Sequence, residues 1–284
     1  MDQQSRPTIS ENAEEKDQGG MFMVEDIQND PHKIAFAVGV LVGLLTLFLI
    51  YLWSRKGGFG RFKRSAIIIA GPSDSGKTLL FSQLLYCKPI ETFTSMIENV
   101  GQYSGGINID SENSANSGLG KTFHVYDLPG HDRIRYAALD KHKEKAKAII
   151  YVIDASTIKQ KLRDSADFLF NVLRDPCLYS AGTPVLVVCN KQDLGLQAKG
   201  ARVIERELAK EIGLLRVTKS RLLQDSSGAS DGNSNTIYLG QEGKDFEFSD
   251  LRAEVKFCEA SATKDCNDEE SGIPAIKQWI GGLA

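Results

Sequence analysis

Lys77 and Thr78 close the string GPSDSGKT at 71–78, directly after the apolar run Ala66–Ala70. A strand that runs into a glycine-bearing loop and opens a helix with Lys-Thr is the arrangement that cradles phosphate. Gly71 and Gly76 let the backbone curl, so that the N–H groups around Ser73, Asp74 and Ser75 face phosphate oxygens. Lys77 is placed to reach β- and γ-phosphates, and the Thr78 hydroxyl to ligate Mg²⁺. The helix N-terminus behind the loop adds favourable partial charge.

Three more strings follow in order: DLPGH at 127–131, NKQD at 190–193 and EASAT at 259–263. Asp127 ends the apolar run Phe123–Tyr126 and is a second candidate for Mg²⁺, directly or through water; the Gly130 N–H is a candidate sensor of a γ-phosphate. The Asp193 carboxylate can accept two hydrogen bonds, from the ring N–H and the exocyclic amine of guanine, which adenine does not present. A buried site built for those donors rejects a base lacking them by about 10⁴ or more. Asn190 would brace this loop, the Lys191 stem would cover the base, and N–H groups around Ser261 and Ala262 could bond the guanine carbonyl oxygen. Taken singly the strings have plainer readings: DxxG is a turn, NKQD a solvated helix entry, and EASAT is unspecific. Their order along one chain is what points to a single pocket for GTP or GDP with Mg²⁺.

The elements that must position these residues are legible as alternation. Short apolar β-type runs occur at Ala66–Ala70, Phe123–Tyr126, Ala148–Ile153, Val185–Cys189 and Val255–Cys258. Helical stretches lie between and after them, at Lys77–Cys87, Arg133–Lys145, Lys159–Arg174, Ala198–Ile212 and Ile273–Ile280. Strands separated by helices predict an α/β fold, a mainly parallel sheet with helices on both faces, over residues 64–284. Residues 97–120 and 224–244 are rich in Gly, Ser and Asn and read as long flexible loops.

Ahead of that domain, residues 1–32 are polar and acidic and read as a disordered tail. Ile34–Trp53 carries no charge and is apolar all round. A helix of about 20 residues spans about 30 Å, enough to cross a bilayer. A cleaved signal peptide would need a basic start that the acidic tail does not supply, and a buried core helix is the other alternative. Arg55, Lys56, Arg61, Lys63 and Arg64 follow the span, in or beside the basic linker 54–63, against Lys33 alone before it. The positive-inside rule puts the domain in the cytosol and the tail across the membrane. Gly39 and Gly43 form a GxxxG pair, a helix-packing motif and also simply frequent residues of membrane spans.

Composition excludes some classes. A net charge of -3 gives no basis for direct nucleic-acid binding. Five cysteines with no CxxC pair suggest neither a disulfide framework nor a zinc site. Cys189 and Cys258, in apolar runs, read as small buried hydrophobes in a reducing compartment.

With the four strings and the alternation in place, residues 64–284 resemble the small Ras-like and Arf-like GTPases, which implies the P-loop small-GTPase fold. In that family a threonine of the first switch completes the Mg²⁺ shell; Thr94 in ETFTSM is the choice, with Thr92 the alternative. The chain departs from the usual pattern in two places. His131 stands where Ras-like enzymes carry a water-orienting glutamine, and Ser73 and Asp74 fill positions that are often glycine. Hydrolysis is therefore expected to be slow unless a partner positions His131 and the water; the other reading of His131 is a helix-entry residue without a chemical part.

The chain carries neither a C-terminal Cys-box nor an N-terminal myristoylated glycine. With an N-terminal span in their place, it is similar to the beta-subunit family of the signal recognition particle receptor. The strings DSGKTLLF at 74–81, TSM at 94–96, DLPGH, LRVTKS at 215–220 and FEFSDL at 246–251 carry that likeness. It implies a single-pass protein of the endoplasmic reticulum membrane, lumenal at its N-terminus, whose GTP-bound form docks the receptor alpha subunit. The ribosome and the translocation channel are further partners it allows. Three readings stay open: a GTP-dependent binding switch, a hydrolase with fast turnover, and an anchor whose nucleotide is structural. A membrane-anchored Arf/Ras-like GTPase of vesicle traffic is a further alternative.

Overall fold

The computed structural model describes residues 31–55, 64–104, 122–226 and 237–283. The chain divides into two units, Met1–Arg61 and Phe62–Ala284. The first contains a single described element, helix α1 (Pro31–Arg55, 25 residues). It covers the uncharged run and starts slightly before it; the rest of the acidic tail and residues 56–63 of the linker lie outside the described residues. The α1 side chains from Val38 to Leu49 are exposed and mostly large and apolar. Among the described residues no helix is long and apolar enough to cross a membrane. A Cβ added at Gly39 or Gly43 meets nothing within 4 Å.

The second unit is a six-stranded sheet in the order β2-β3-β1-β4-β5-β6. Its strands are β1 (Ala66–Ala70), β2 (Asn99–Ser104), β3 (Thr122–Asp127), β4 (Ala146–Asp154), β5 (Val185–Asn190) and β6 (Val255–Glu259). All neighbours pair in parallel except β2 with β3. Side chains of the central strands alternate between two cores. Ile68, Ile149, Tyr151, Ile153, Val185 and Val187 face one core. There they pack on α3 (Asp132–His142), α4 (Ile158–Arg174), the short α5 (Pro176–Ala181) and α6 (Ala201–Ser226). Ile67, Ile69, Ile150, Val152, Leu186 and Val188 face the other core, under α2 (Lys77–Tyr86) and α7 (Ile273–Gly281). Covering both faces is why these strands read as unbroken apolar runs.

Four sequence expectations need correction. The stretch 97–120 is not all loop: Asn99–Ser104 is a strand, paired in register from Asn99↔Asp127 to Ser104↔Thr122. Its sequence, NVGQYS, belongs to an edge strand with one buried side chain, so it lacks an apolar run. Residues 105–121 lie outside the described residues. Helix α6 runs on to Ser226 instead of stopping at Ile212. Gly213, just past the expected end, lies inside the helix, where a Cβ would make ordinary contact at 3.6 Å with Phe246 Cβ of a crossing chain.

The crossing chain is the second supposed loop. Residues 227–236 lie outside the described residues, while 237–250 pack against α6. Arg216 is buried and donates to the carbonyls of Leu239 (3.1 Å), Gln241 (3.2 Å) and Lys244. Phe246, Phe248 and Phe257 stack edge-on behind it. The strings LRVTKS and FEFSDL are thus two sides of one packing interaction. The fourth correction concerns cysteine. Cys87 and Cys266 form a disulfide across a sequence separation of 179, a pairing made by the fold with no local spacing to announce it. Cys189 is buried and Cys258 partly so, both as free thiols; burial pushes the Cys258 thiol up to about 12 and the Cys189 thiol higher still.

Candidate nucleotide site

The chemistry-bearing residues follow the C-terminal ends of the strands. Gly71 follows β1, Asp127 ends β3, Asp154 ends β4, Asn190 ends β5 and Ala260 follows β6. In open parallel sheets this is the edge where ligands bind. Register makes it tight, with Ile69 opposite Asp127, Asp154 opposite Asn190 and Cys189 opposite Glu259.

At the phosphate end, Gly76 takes φ 87 and a Cβ there would come within 2.2 Å of Asn190 Nδ2, so only glycine fits. Asp74 also has positive φ, 64, a conformation aspartate tolerates better than most residues. Ser75 is fully buried, its hydroxyl donating to the Pro72 carbonyl at 3.0 Å. Lys77 is buried and donates to the same carbonyl at 2.8 Å. Burial lowers its pKa to about 8, against the partial support of Asp127 and Asp74. Lys161 of α4 reaches the loop from outside, donating to the Ser73 carbonyl at 3.4 Å with its Nζ 3.8 Å from Asp74. Gly130 packs directly on this loop: a Cβ there would lie 2.6 Å from Lys77 Nζ and 2.7 Å from the Ser73 amide.

Asp127 is fully buried, and burial pushes its carboxyl up from the usual carboxylate range, against the hydrogen bonds of Asn99 and Thr78. Oδ2 accepts from the Thr78 hydroxyl at 2.7 Å and from Asn99 at 2.8 Å, whereas Oδ1 is buried without a partner. The Thr78 hydroxyl also lies 3.1 Å from Ser95 Oγ. An orphaned carboxylate oxygen beside a threonine hydroxyl is a donor set that fits Mg²⁺. Among the described residues no group of three or more His, Cys, Asp or Glu could hold a metal unaided. A cation held by one carboxylate and phosphate oxygens is the usual Mg²⁺ arrangement. Thr92, Thr94 and Ser95 line a cavity of about 260 Å³ together with Ser73, Asp74, Lys77, Thr78 and Gly130. Ser95 was not singled out from sequence, although it adjoins Thr94; neither was Asn99, because its strand was not expected.

At the base end the bonds form a closed chain. Asn190 donates to the Ser75 carbonyl at 2.9 Å and accepts from the Ala262 N–H at 3.0 Å. Gln83 of α2, fully buried, donates to the carbonyls of Ala262 (3.0 Å) and Lys264 (2.8 Å). The Ser261 N–H goes to the Ser271 carbonyl at 2.8 Å, while the Ser261 hydroxyl donates to Asp193 Oδ1 at 2.8 Å. Lys191, at φ 69, is pinned by Asp154 at 2.8 Å. Burial pushes the Asp154 carboxyl up, but hydrogen bonds from Lys191 and Ser156 outweigh it and hold it at about 2. Asp193 itself is exposed, with Oδ1 already oriented. Phosphate loop, NKQD and EASAT are thus one bonded unit.

Over residues 62–255 the chain matches the family described as signal recognition particle receptor beta subunit. It belongs to that family. The signal recognition particle receptor subunit beta of Mus musculus is 35% identical over 259 residues, covering 90% of this chain and 89% of the relative. The solved structure of the mammalian SRP receptor superposes with a TM-score of 0.61 at 33% identity, over 77% of this chain and 100% of the other. A signal recognition particle receptor SRb-GTP/SRX complex from Chaetomium thermophilum shares the fold, with a TM-score of 0.57 at 23% identity over 76% and 99% of the two chains.

This beta-subunit family member is therefore a small GTPase in fold, with a second region beside the phosphate loop that is held by charge. His131 caps α3, its Nδ1 accepting from the Arg133 N–H at 3.3 Å. With that lone pair engaged, the imidazole edge bearing Nε2 is the one left for other contacts. His131 also lines a cavity of about 230 Å³ with Pro72, Ser73, Asp132, Lys161 and Asp164. Arg135 of α3 is buried, pairs with Asp164 of α4 at 2.7 Å and 3.2 Å, and lies over the Phe168 ring at 4.6 Å. Glu98, just before β2, accepts from His142 at 2.8 Å and from Lys141. These pairs tie the helix after DLPGH to its neighbours.

Proposed function

We propose that this chain is the nucleotide-dependent docking subunit of a signal recognition particle receptor, anchored in the endoplasmic reticulum membrane by α1. GTP and Mg²⁺ are its ligands and the receptor alpha subunit its partner. The observation that carries this reading is the bonded unit Ser75–Asn190–Ala262–Gln83. It joins the phosphate loop to the segment whose Ser261 hydroxyl orients Asp193, which supports Asp193 as the guanine-reading carboxylate and the Asp127–Thr78 pair as the Mg²⁺ end of the same site.

Binding divides between the two ends. Loop amides and Lys77 grip the phosphates, and Asp193 accepts the guanine donors, as no adenine arrangement allows. A bound Mg²⁺ supplies charge neutralisation at the β- and γ-phosphate oxygens. Thr78 and Asp127 would hold it, with Thr94 the candidate from the first switch. Gly130 would donate its N–H to the γ-phosphate, so the stretch 86–98 and helix α3 answer to the third phosphate. With His131 held by its cap bond, attack of water on the γ-phosphate would be slow until a partner positions His131 and the water. The fold relative solved with GTP and SRX supports a nucleotide-linked partner.

Anchoring rests on the uncharged run Ile34–Trp53, its helical conformation and its exposed apolar side chains, which water disfavours. The basic residues after it favour a cytosolic domain and a lumenal tail.

The test is a pull-down of the alpha subunit by the full chain in detergent, loaded with GTP or with GDP. Docking strong with GTP and weak with GDP is expected, with Thr78→Asn losing docking while still inserting into membranes. Equal docking by both nucleotide states would refute the switch.

A further inference from the structure

The disulfide between Cys87 and Cys266 sits on the seam that holds the guanine loop, and its two sulfurs differ in kind. Cys87 follows the last turn of α2, is exposed, and has its backbone N–H on the Gln83 carbonyl at 3.2 Å. Cys266, three residues past EASAT, is buried. Their Cα atoms are 5.3 Å apart. Lys277 of α7 places Nζ 3.1 Å from Cys87 Sγ. An ammonium beside a sulfur favours the thiolate once the bond is open. An accessible, cation-paired thiol next to a buried second cysteine is the layout of a reactive thiol with its resolving partner. The remaining thiols do not compete. Cys189 and Cys258 are held protonated by burial, and none of the three free cysteines has a disulfide partner.

We propose that Cys87, Cys266 and Lys277 form a thiol–disulfide exchange site for low-molecular-weight thiols of the glutathione class, whose state sets how fast the guanine loop releases nucleotide.

In the oxidising direction the Cys87 thiolate attacks one sulfur of glutathione disulfide. That S–S bond breaks, one glutathione thiolate leaves, and Cys87 carries the other half as a mixed disulfide. Cys266 then gives its proton to solvent and attacks the Cys87 sulfur, expelling the second glutathione thiolate. Two electrons pass from the cysteine pair to glutathione disulfide, and the reverse sequence reduces the protein. Attack from outside falls on Cys87, because Cys266 is covered.

The coupling follows from what the bond joins. Gln83 holds the Ala262 and Lys264 carbonyls from α2, and the disulfide closes the same seam four residues further along the chain. Closed, it limits how far the guanine loop can leave α2; open, the loop is held there by side-chain hydrogen bonds. The coupling rests on the guanine site proposed above, whereas the thiol chemistry does not.

The test uses the full chain in detergent, equilibrated at set ratios of glutathione to glutathione disulfide. Alkylation, digestion and mass spectrometry read the thiols, and release of a fluorescent GDP reads the loop. The cross-link should titrate with the ratio, with mixed disulfide at Cys87, and release should be about fivefold slower when it is closed. Cys87→Ser and Cys266→Ser should release fast at every ratio, and Lys277→Met should react about tenfold more slowly with glutathione disulfide. Absence of the cross-link at every ratio overturns the site; a cross-link that leaves release unchanged overturns the coupling. A cross-link that titrates in protein binding no guanine nucleotide would remove the guanine site and the coupling, and uphold the exchange site.

Discussion

At the base end of the pocket Asn190, Ala262 and Gln83 lock three segments together, with Ala260, Ser261 and Ala262 each 1% exposed. At the γ-phosphate end Phe93 is 88% exposed and Ile97 78%, beside exposed Tyr86, Ile90 and Met96. One end is built as a fixed reader, while the other leaves large apolar side chains in water. Large apolar side chains left in water are what the proposed docking of the alpha subunit would cover. The difference teaches where energy can go under the proposed function: a prepared surface would read nucleotide identity, and a segment with little packing of its own would answer to the third phosphate.

That contrast can be broken most severely at Asn190. Alanine there strands the Ser75 carbonyl and the Ala262 N–H in a buried site, each costing about 1–3 kcal/mol. Urea unfolding should show a loss of about 3 kcal/mol, and GDP affinity should fall about a hundredfold. An undisturbed variant would mean the base end is not a bonded unit.

Acid probes the same end. The Asp154 carboxyl lies at about 2 against an ordinary 3.8, so its contribution is present above pH 4 and lost as pH falls through 2. The loss should approach about 2 kcal/mol and be missing from Asp154→Asn. Stability curves of the two proteins that stay parallel down to pH 2 would remove Lys191 from the brace.

Gly130→Ala sharpens the comparison from the other side, since its Cβ must displace the Ser73 amide or Lys77. Both nucleotides should bind more weakly, GTP about tenfold more so than GDP, because the Gly130 N–H is assigned to the third phosphate alone. Equal losses for both nucleotides would erase the division between ends. Phe93→Ser should alter stability least, within about 0.5 kcal/mol, while weakening alpha-subunit docking at least about tenfold. A destabilised protein with normal docking would reverse the assignment of that surface.

Sequence showed the central sheet because β1, β4 and β5 are buried on both faces and leave no polar positions inside the runs Ala66–Ala70, Ala148–Ile153 and Val185–Cys189. It showed Gly76, Lys77, Asp127 and Asn190 because backbone conformation and ligand chemistry constrain those residue types strongly. It did not show β2, which has one buried side chain and presents no pattern. It did not show α6 running past Ile212, because the segment packed there, with Leu239 and Phe246, lies far along the chain. Gln83 and the Cys87–Cys266 bond were invisible for the same cause: each joins α2 to a loop about 180 residues away, and no local spacing encodes it.

Calorimetric titration of the full chain with Mg²⁺ and either GTP or ATP tests the pocket most directly. The account predicts a guanine preference of about 10³ or more, lost in Asp193→Asn and partly restored there by xanthosine triphosphate. ATP binding as tightly as GTP to the unaltered protein would contradict it.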